Sequence, residues 1–249
     1  TPRRICAVSA PLFLVQPGSL RAAGTVEVGG AEGRHAVKVR RLRVGEAVDL
    51  ADGDGVVGRG VVGAATGDVL TVEVRDVERL PEPVPRLVVA QALPKGDRGE
   101  LAVELMTELG VDAIVPWAAS RCVTVWSGER GEKARGRWAV HAREAAKQSR
   151  RPRVPAIESL ATTKALAARD AAILVLHEEA TAPISAVELP ATGEVLVVVG
   201  PEGGISAEEL TAFQEAGARS CRLGPEVLRT STAGPAALAV LSLRFGRWG

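Results

Sequence analysis

The chain has no tyrosine, only three phenylalanines and four tryptophans, so aromatics make up 3% of it. Its large apolar side chains are therefore mostly leucine and valine. Cysteine is scarce as well. Cys6, Cys122 and Cys221 are odd in number and never fall in C-x-x-C spacing, which argues against a disulfide framework and a zinc site. The histidines His35, His141 and His177 form no ligand-spaced pair, so no metal is expected. Free thiols fit a reducing cytoplasm. No apolar run approaches the roughly 20 residues of a membrane-spanning helix, so no membrane partner is expected. The first residues put Arg3 and Arg4 ahead of an apolar stretch, but Pro11 interrupts it and no clean cleavage site follows. Residues 1–9 read as a loose leader. No loop carries the Gly-Lys-Ser/Thr of a phosphate-binding loop, which argues against a nucleoside triphosphate.

What is present is ordinary for a folded protein: 46% hydrophobic and 24% charged residues. The net charge of +1 hides two basic clusters. Residues 1–44 include Arg21, Arg34, Lys38, Arg40, Arg41 and Arg43. Residues 130–153 carry nine cations, Arg143, Lys147, Arg150 and Arg151 among them, against Glu132 and Glu144. Either cluster alone reads equally well as solvated surface. Two on an otherwise balanced chain point to a polyanionic partner.

Residues 12–79 read as short valine-rich strands divided by Gly and Asp-Gly turns, with a helical insert at GRHAVKVRRLRVG. A small barrel is the natural closure. PEPVP at 81–85 breaks regular structure and marks a boundary between domains 1–80 and 86–249. Beyond it strands and helices alternate: RLVVAQAL, a helix opened by Asp97 with Glu100 three residues on, VDAIVPW, a basic helix ended by Pro152, AAILVLHEE, EVLVVVG, a helix boxed by Ser206 and Glu209, ARSCRLG and a last helix TAGPAALAVLSLRF. This order predicts an α/β domain with a mostly parallel sheet.

Gly53, Gly55 and Gly58 match G-x-G-x-x-G. The sequence continues as strand where a dinucleotide fold needs a helix, so the match is assigned to a hairpin turn. Other loops carry more. VVVGPEGGIS brings Gly200, Pro201, Glu202, Gly203 and Gly204 to a strand's carboxyl end, where ligands of open α/β sheets bind. RLGPEVLRTSTAG repeats the theme with Leu223, Gly224, Val227, Leu228, Arg229 and Thr232. LVLHEEA supplies Leu176, His177 and Glu178. Three such turns from one sheet suit a flat apolar ligand such as adenine.

GPEGGIS followed by LGPEVLRTSTA resembles the paired signature of the ribosomal RNA small subunit methyltransferase E family, within the SPOUT methyltransferases. LPKGDRGELAVELMTELGVDAIVPWAASRC, REAAKQSRRPRVPAI and EGRHAVKVRRLRVG are also similar to that family, so the resemblance spans roughly residues 11–249. It implies an N-terminal PUA-like β-barrel and a C-terminal SPOUT-type knotted α/β domain that forms a homodimer. It implies S-adenosylmethionine as methyl donor and N3 of one uridine in 16S ribosomal RNA, free or in the small ribosomal subunit, as acceptor. The three loops then hold the cofactor. Arg229 is expected to stabilise the base anion or to bind loop carbonyls or phosphate. Glu202 is expected to face the sulfonium or to complement a helix N-terminus. RNA contacts are expected from Arg34, His35, Lys38, Arg40, Arg41, Arg43, Lys95, Arg98, Arg143, Lys147, Gln148, Arg150 and Arg151. Ser231 stands where many relatives carry an acid, so no catalytic role is assigned to it. Pro235 replaces a commoner alanine and is expected in the first turn of the last helix, where proline is tolerated. Ribose 2′-O-methylation on the same fold, or RNA binding without chemistry, are the alternative functions.

Overall fold

The computed structural model describes residues 10–248. The leader read at 1–9 and Cys6 lie outside them. The chain divides into two compact units, residues 1–82 with 146–154, and residues 83–145 with 155–249. The division at Glu82/Pro83 falls inside PEPVP. Residues 146–154, which the sequence reading leaves in the second domain, group with the first unit.

The first unit is a five-stranded sheet in the order β1-β3-β4-β5-β2. Its strands are β1 (Leu12–Leu14), β2 (Gly24–Val28), β3 (Ala47–Ala51), β4 (Val56–Thr66) and β5 (Val69–Arg79). Only β1 and β3 pair in parallel. The two long strands slip register at Arg59/Gly60 and Val62/Ala64. Such bulges bend a strand and let a sheet curl around one core. Gly60 is required there, since a Cβ would run into the carbonyl oxygen of Glu73. Phe13 of β1, Val28 of β2 and Leu50, Val62 and Leu70 between them share that core.

The helical insert is α1 (Gly30–Arg34), running into a wider turn over His35–Val39 whose bonds span five residues. Two non-glycine residues of the described chain adopt left-handed backbone, Arg41 (φ 54°) and Arg150 (φ 55°). That conformation costs an L-residue about 1–2 kcal/mol. A cation at a helix C-terminus usually gains about 0.3–1 kcal/mol.

The second unit holds an all-parallel six-stranded sheet, β11-β9-β10-β6-β7-β8. Its elements in chain order are β6 (Arg86–Ala92), α2 (Arg98–Glu108), β7 (Ala113–Trp117), α3 (Gly128–Gln148), β8 (Ala156–Ile157), α4 (Thr163–Ala167), β9 (Ala172–Leu176), β10 (Glu194–Val199), α5 (Ala207–Glu215), β11 (Arg219–Cys221) and α6 (Thr230–Arg244). Val195–Val199 of β10 are all buried, as a strand covered on both faces must be. Trp117 and Phe213 meet edge-to-face at 5.6 Å in the core. Gly234 lets α6 approach α2, since a Cβ would lie 2.8 Å from Met106 Sδ.

Several expectations shift. Asp97 precedes α2 but makes no side-chain cap bond. Helix α3 opens at Gly128, about two turns before the basic stretch that predicted it. It ends at Gln148, short of Pro152, so Arg150 and Arg151 lie beyond the basic helix. β8 and α4 were not foreseen, because two and five residues are too short to show periodicity. Because α6 begins at Thr230, Pro235 lies inside the helix, beyond its first turn. There its missing N–H leaves the Ser231 carbonyl without a helical donor.

Candidate active-site cleft

A cleft of about 320 Å³ opens where β9, β10 and β11 end. Parallel strands deliver these three ends side by side. The glycine turns that follow β10 and β11 keep bulk out of the space between them.

The turn after β10 is the central wall. At Gly200 a Cβ would come within 2.8 Å of Ile205 Cγ1. Gly204 has φ 74°, and its N–H donates to the Pro201 carbonyl at 2.9 Å. The turn is propped from behind. Arg121 Nη1 donates to the Gly203 carbonyl at 3.0 Å. Glu209, 7% exposed, accepts from Ser120 N–H (2.8 Å), Ser120 Oγ (2.9 Å), Thr163 Oγ1 (2.9 Å) and Ser206 N–H (3.2 Å). Burial pushes this carboxyl up, but those bonds together outweigh it and hold it below its ordinary value. Ser206 Oγ accepts from Glu209 N–H in return, completing the capping box read from the sequence.

The start of α6 closes a second wall. Thr230 Oγ1 donates to the Gly200 carbonyl at 2.8 Å and accepts from Gln91 Nε2 at 2.9 Å. That buried hydroxyl ties the last helix to the central strand. The third wall is Leu176–Glu178, where His177 N–H donates to the Cys221 carbonyl at 3.0 Å. His177 Nδ1 accepts from Glu179 N–H at 3.3 Å, a loop-closing bond.

Of the expected cofactor residues, Leu176, His177, Glu178, Gly200, Pro201, Glu202, Gly204, Leu223, Gly224, Val227, Leu228 and Arg229 line the cleft. Gly203 and Thr232 do not. Gly203 turns toward Arg121, whose Cβ lies 3.2 Å from where its own would be. Thr232 is exposed and its hydroxyl donates to the Arg229 carbonyl at 3.1 Å. Helical geometry explains that miss: residues two apart point roughly 200° apart, so Thr230 faces in and Thr232 faces out. Ser231 is 3% exposed and not among the lining residues.

Arg98, expected to contact RNA, also lines the cleft, together with Val199, Ile205, Cys221, Arg222, Glu226, Thr230 and Ala233. Arg222 and Glu226 lay within the quoted RLGPEVLRTSTAG stretch. Arg98 had no cleft signal, since it comes from β6's side of the sheet. Burial pushes the Cys221 thiol up to about 11, so it stays protonated at neutral pH. Glu202 accepts Lys95 N–H at 3.3 Å, joining a fourth loop to the rim.

The remaining residues expected to contact RNA divide between the units. Lys95 and Arg143 belong to the second; Arg34, His35, Lys38, Arg40, Arg41, Arg43, Lys147, Gln148, Arg150 and Arg151 belong to the first. Some are engaged. Arg34 and Lys38 pair with Asp68 at 3.1 and 2.5 Å, and Lys147 pairs with Glu32 at 2.7 Å. Their hydrogen bonds hold the Asp68 carboxyl below its usual range. Among the described residues no helix is long and apolar enough to cross a membrane, and no group of three or more His, Cys, Asp or Glu suits a metal ion.

Comparison with known proteins follows the same division. The family described as RNA methyltransferase domain matches residues 80–242, and RNA methyltransferase PUA domain matches residues 28–75. A parallel sheet with its cleft at the strand ends, in a chain that also carries a PUA domain, marks an RNA methyltransferase of the SPOUT class. A protein of Mycobacterium bovis named ribosomal RNA small subunit methyltransferase E is 46% identical over 228 residues, covering 89% of this chain and 87% of that one. The Bacillus subtilis protein of the same name is 31% identical, covering 88% and 90%. The chain belongs to the ribosomal RNA small subunit methyltransferase E family. The crystal structure of such an enzyme from Neisseria gonorrhoeae, bound to S-adenosyl methionine, superposes with a TM-score of 0.83 at 26% identity, covering 95% of this chain and 98% of that one.

Proposed function

We propose that this chain methylates N3 of a uridine in 16S ribosomal RNA, with S-adenosylmethionine as donor. One observation carries the reading: the turns near 178, 202 and 226 converge on a single open cleft. Its walls suit the donor. Leu176, Val199, Ile205, Leu223, Val227 and Leu228 offer an apolar slot for a flat base, and Gly200, Gly204 and Gly224 line it without side chains of their own. When bound, the sulfonium supplies an electrophilic methyl group. The chain's work is then to align the acceptor and manage one proton.

Uridine N3 carries that proton, and its loss leaves an anion spread over the base oxygens. Arg229, exposed at the rim, is the proposed stabiliser of this anion. Glu202 is the proposed counter-charge to the sulfonium. The remaining basic residues are proposed to hold RNA phosphates, which position a substrate without reading its sequence. A homodimer, a knotted second domain and a cytoplasmic setting complete the proposal.

The test is direct. Purified chain is titrated calorimetrically with S-adenosylmethionine, then incubated with small ribosomal subunits lacking the modification. Nucleoside analysis is expected to give 3-methyluridine. A ribose-methylated product would move the chemistry to the 2′-hydroxyl. Cofactor binding without any product would leave an RNA-binding role.

A further inference from the structure

We infer that the first unit carries a separate phosphate site, built where its two basic clusters meet. The inference rests on the reading that RNA is the substrate. Residues over a hundred positions apart line one small cavity of about 100 Å³: His35 and Arg40 from the insert, Lys147, Gln148 and Arg150 from the end of α3, with Phe13 at its base. A depression of this size has room for a phosphate group. His35 is held edge-on to Phe13 at 6.1 Å.

The charge in the cavity is uneven. Lys147 is neutralised by Glu32 at 2.7 Å. Arg40 and Arg150 are exposed and have no side-chain partner among the described residues. Their guanidinium groups are the natural donors to an anion.

The backbone adds an independent reason. Arg150 N–H donates to the Lys147 carbonyl and Arg151 N–H to the Ala146 carbonyl, the bond pattern that closes a helix on a left-handed residue. Glycine is the usual residue at that position, and here it is arginine (φ 55°). Arg41, directly after Arg40, is left-handed too, behind the bond from Arg40 N–H to the His35 carbonyl. A charge that merely complements the helix end gains less than the left-handed backbone costs, so the side chain of Arg150 is retained for something outside the fold.

This makes the two properties separable. Arg150→Gly removes the guanidinium and relieves the backbone together. We expect its thermal midpoint to hold or rise by about 2 °C, while affinity for transcribed 16S ribosomal RNA drops about fivefold and the salt dependence of binding loses about one phosphate contact. Arg40→Gln, which leaves the backbone alone, is expected to weaken RNA binding similarly, and Arg150→Lys to retain most of it. S-adenosylmethionine affinity stays at the wild-type value in all three. If the wild-type chain binds this RNA and the Arg150→Gly and Arg40→Gln variants bind it equally well, with an unchanged salt slope, the site is overturned alone. If the wild-type chain binds neither this RNA nor the small ribosomal subunit, the site and the RNA-methylating reading fall together.

Discussion

Two glycine-rich turns of this chain follow a strand, and they do opposite things. At Gly53–Gly55 the space that the glycines leave is filled by the chain itself. A Cβ on Gly55 would run into the guanidinium of Arg153, which donates to the carbonyls of Asp54 and Leu80 at 2.7 Å each. Gly58 lies within β4, where a Cβ would come 3.0 Å from Leu20 and 3.1 Å from Val74. In the turn at Gly200–Gly204, Gly200 and Gly203 pack against Ile205 and Arg121, but at Gly204 no atom comes within 3.8 Å of where a Cβ would be, and the turn borders the open cleft. Glycine at a strand end therefore signals close approach, and the neighbours decide whether the approaching group is a ligand or another part of the fold.

The contrast is sharpest under the same substitution. Gly55→Val combines φ 93° with a collision on Arg153, so we expect a stability loss of roughly 3 kcal/mol with cofactor affinity unchanged in the folded fraction. Gly204→Val, at φ 74° on the cleft wall, is expected to weaken S-adenosylmethionine by about 100-fold while unfolding shifts less. Chemical denaturation paired with calorimetry reads both. Equal loss of cofactor binding in the two variants would erase the distinction between a filled and an open turn.

Thr230→Val comes next. It removes the bonds to Gly200 and Gln91 without changing shape. Leaving those buried groups unpaired costs about 1–3 kcal/mol. Because Thr230 joins two cleft walls, cofactor affinity should fall with stability, whereas Thr232→Val should leave both within error.

The smallest effect concerns the prop behind the open turn. Glu209's carboxyl is held low in the folded chain, so its contribution is complete above the ordinary carboxylate range and lost as pH falls through the folded value. Glu209→Gln should flatten part of the acid limb of the stability–pH curve below about pH 4.5 and change little at pH 8 beyond the lost hydrogen bonds. Glu158, held low chiefly by Arg169, supplies a second part of that limb and should remain. An acid limb identical to wild type would show that the carboxylate is not stabilised by its four donors.

Much of this was readable in advance, for definite reasons. Val195–Val199 is apolar throughout, as suits a strand covered on both faces. Ser206 and Glu209 spell their capping box three residues apart. Local patterns of this kind are visible because the interacting groups are neighbours in the chain. The same holds for the turns at 200–204 and 223–229, whose glycines sit at strand ends, and for the strand end at 176–178. What escaped was set by distant partners. Arg98 lines the cleft although nothing near it hints so. Gly203 belongs to Arg121, and Lys147 belongs to Glu32.

By itself, then, the sequence determined where strands end, which turns are left bare of side chains and which segments are cationic, since these follow from local composition and spacing. Only the tertiary structure decided which bare turn stays open, which hydroxyl of the Thr230–Thr232 run faces inward, and which arginines are left unpaired. Those outcomes depend on volumes and charges contributed by residues far away in the chain, and no local pattern encodes them.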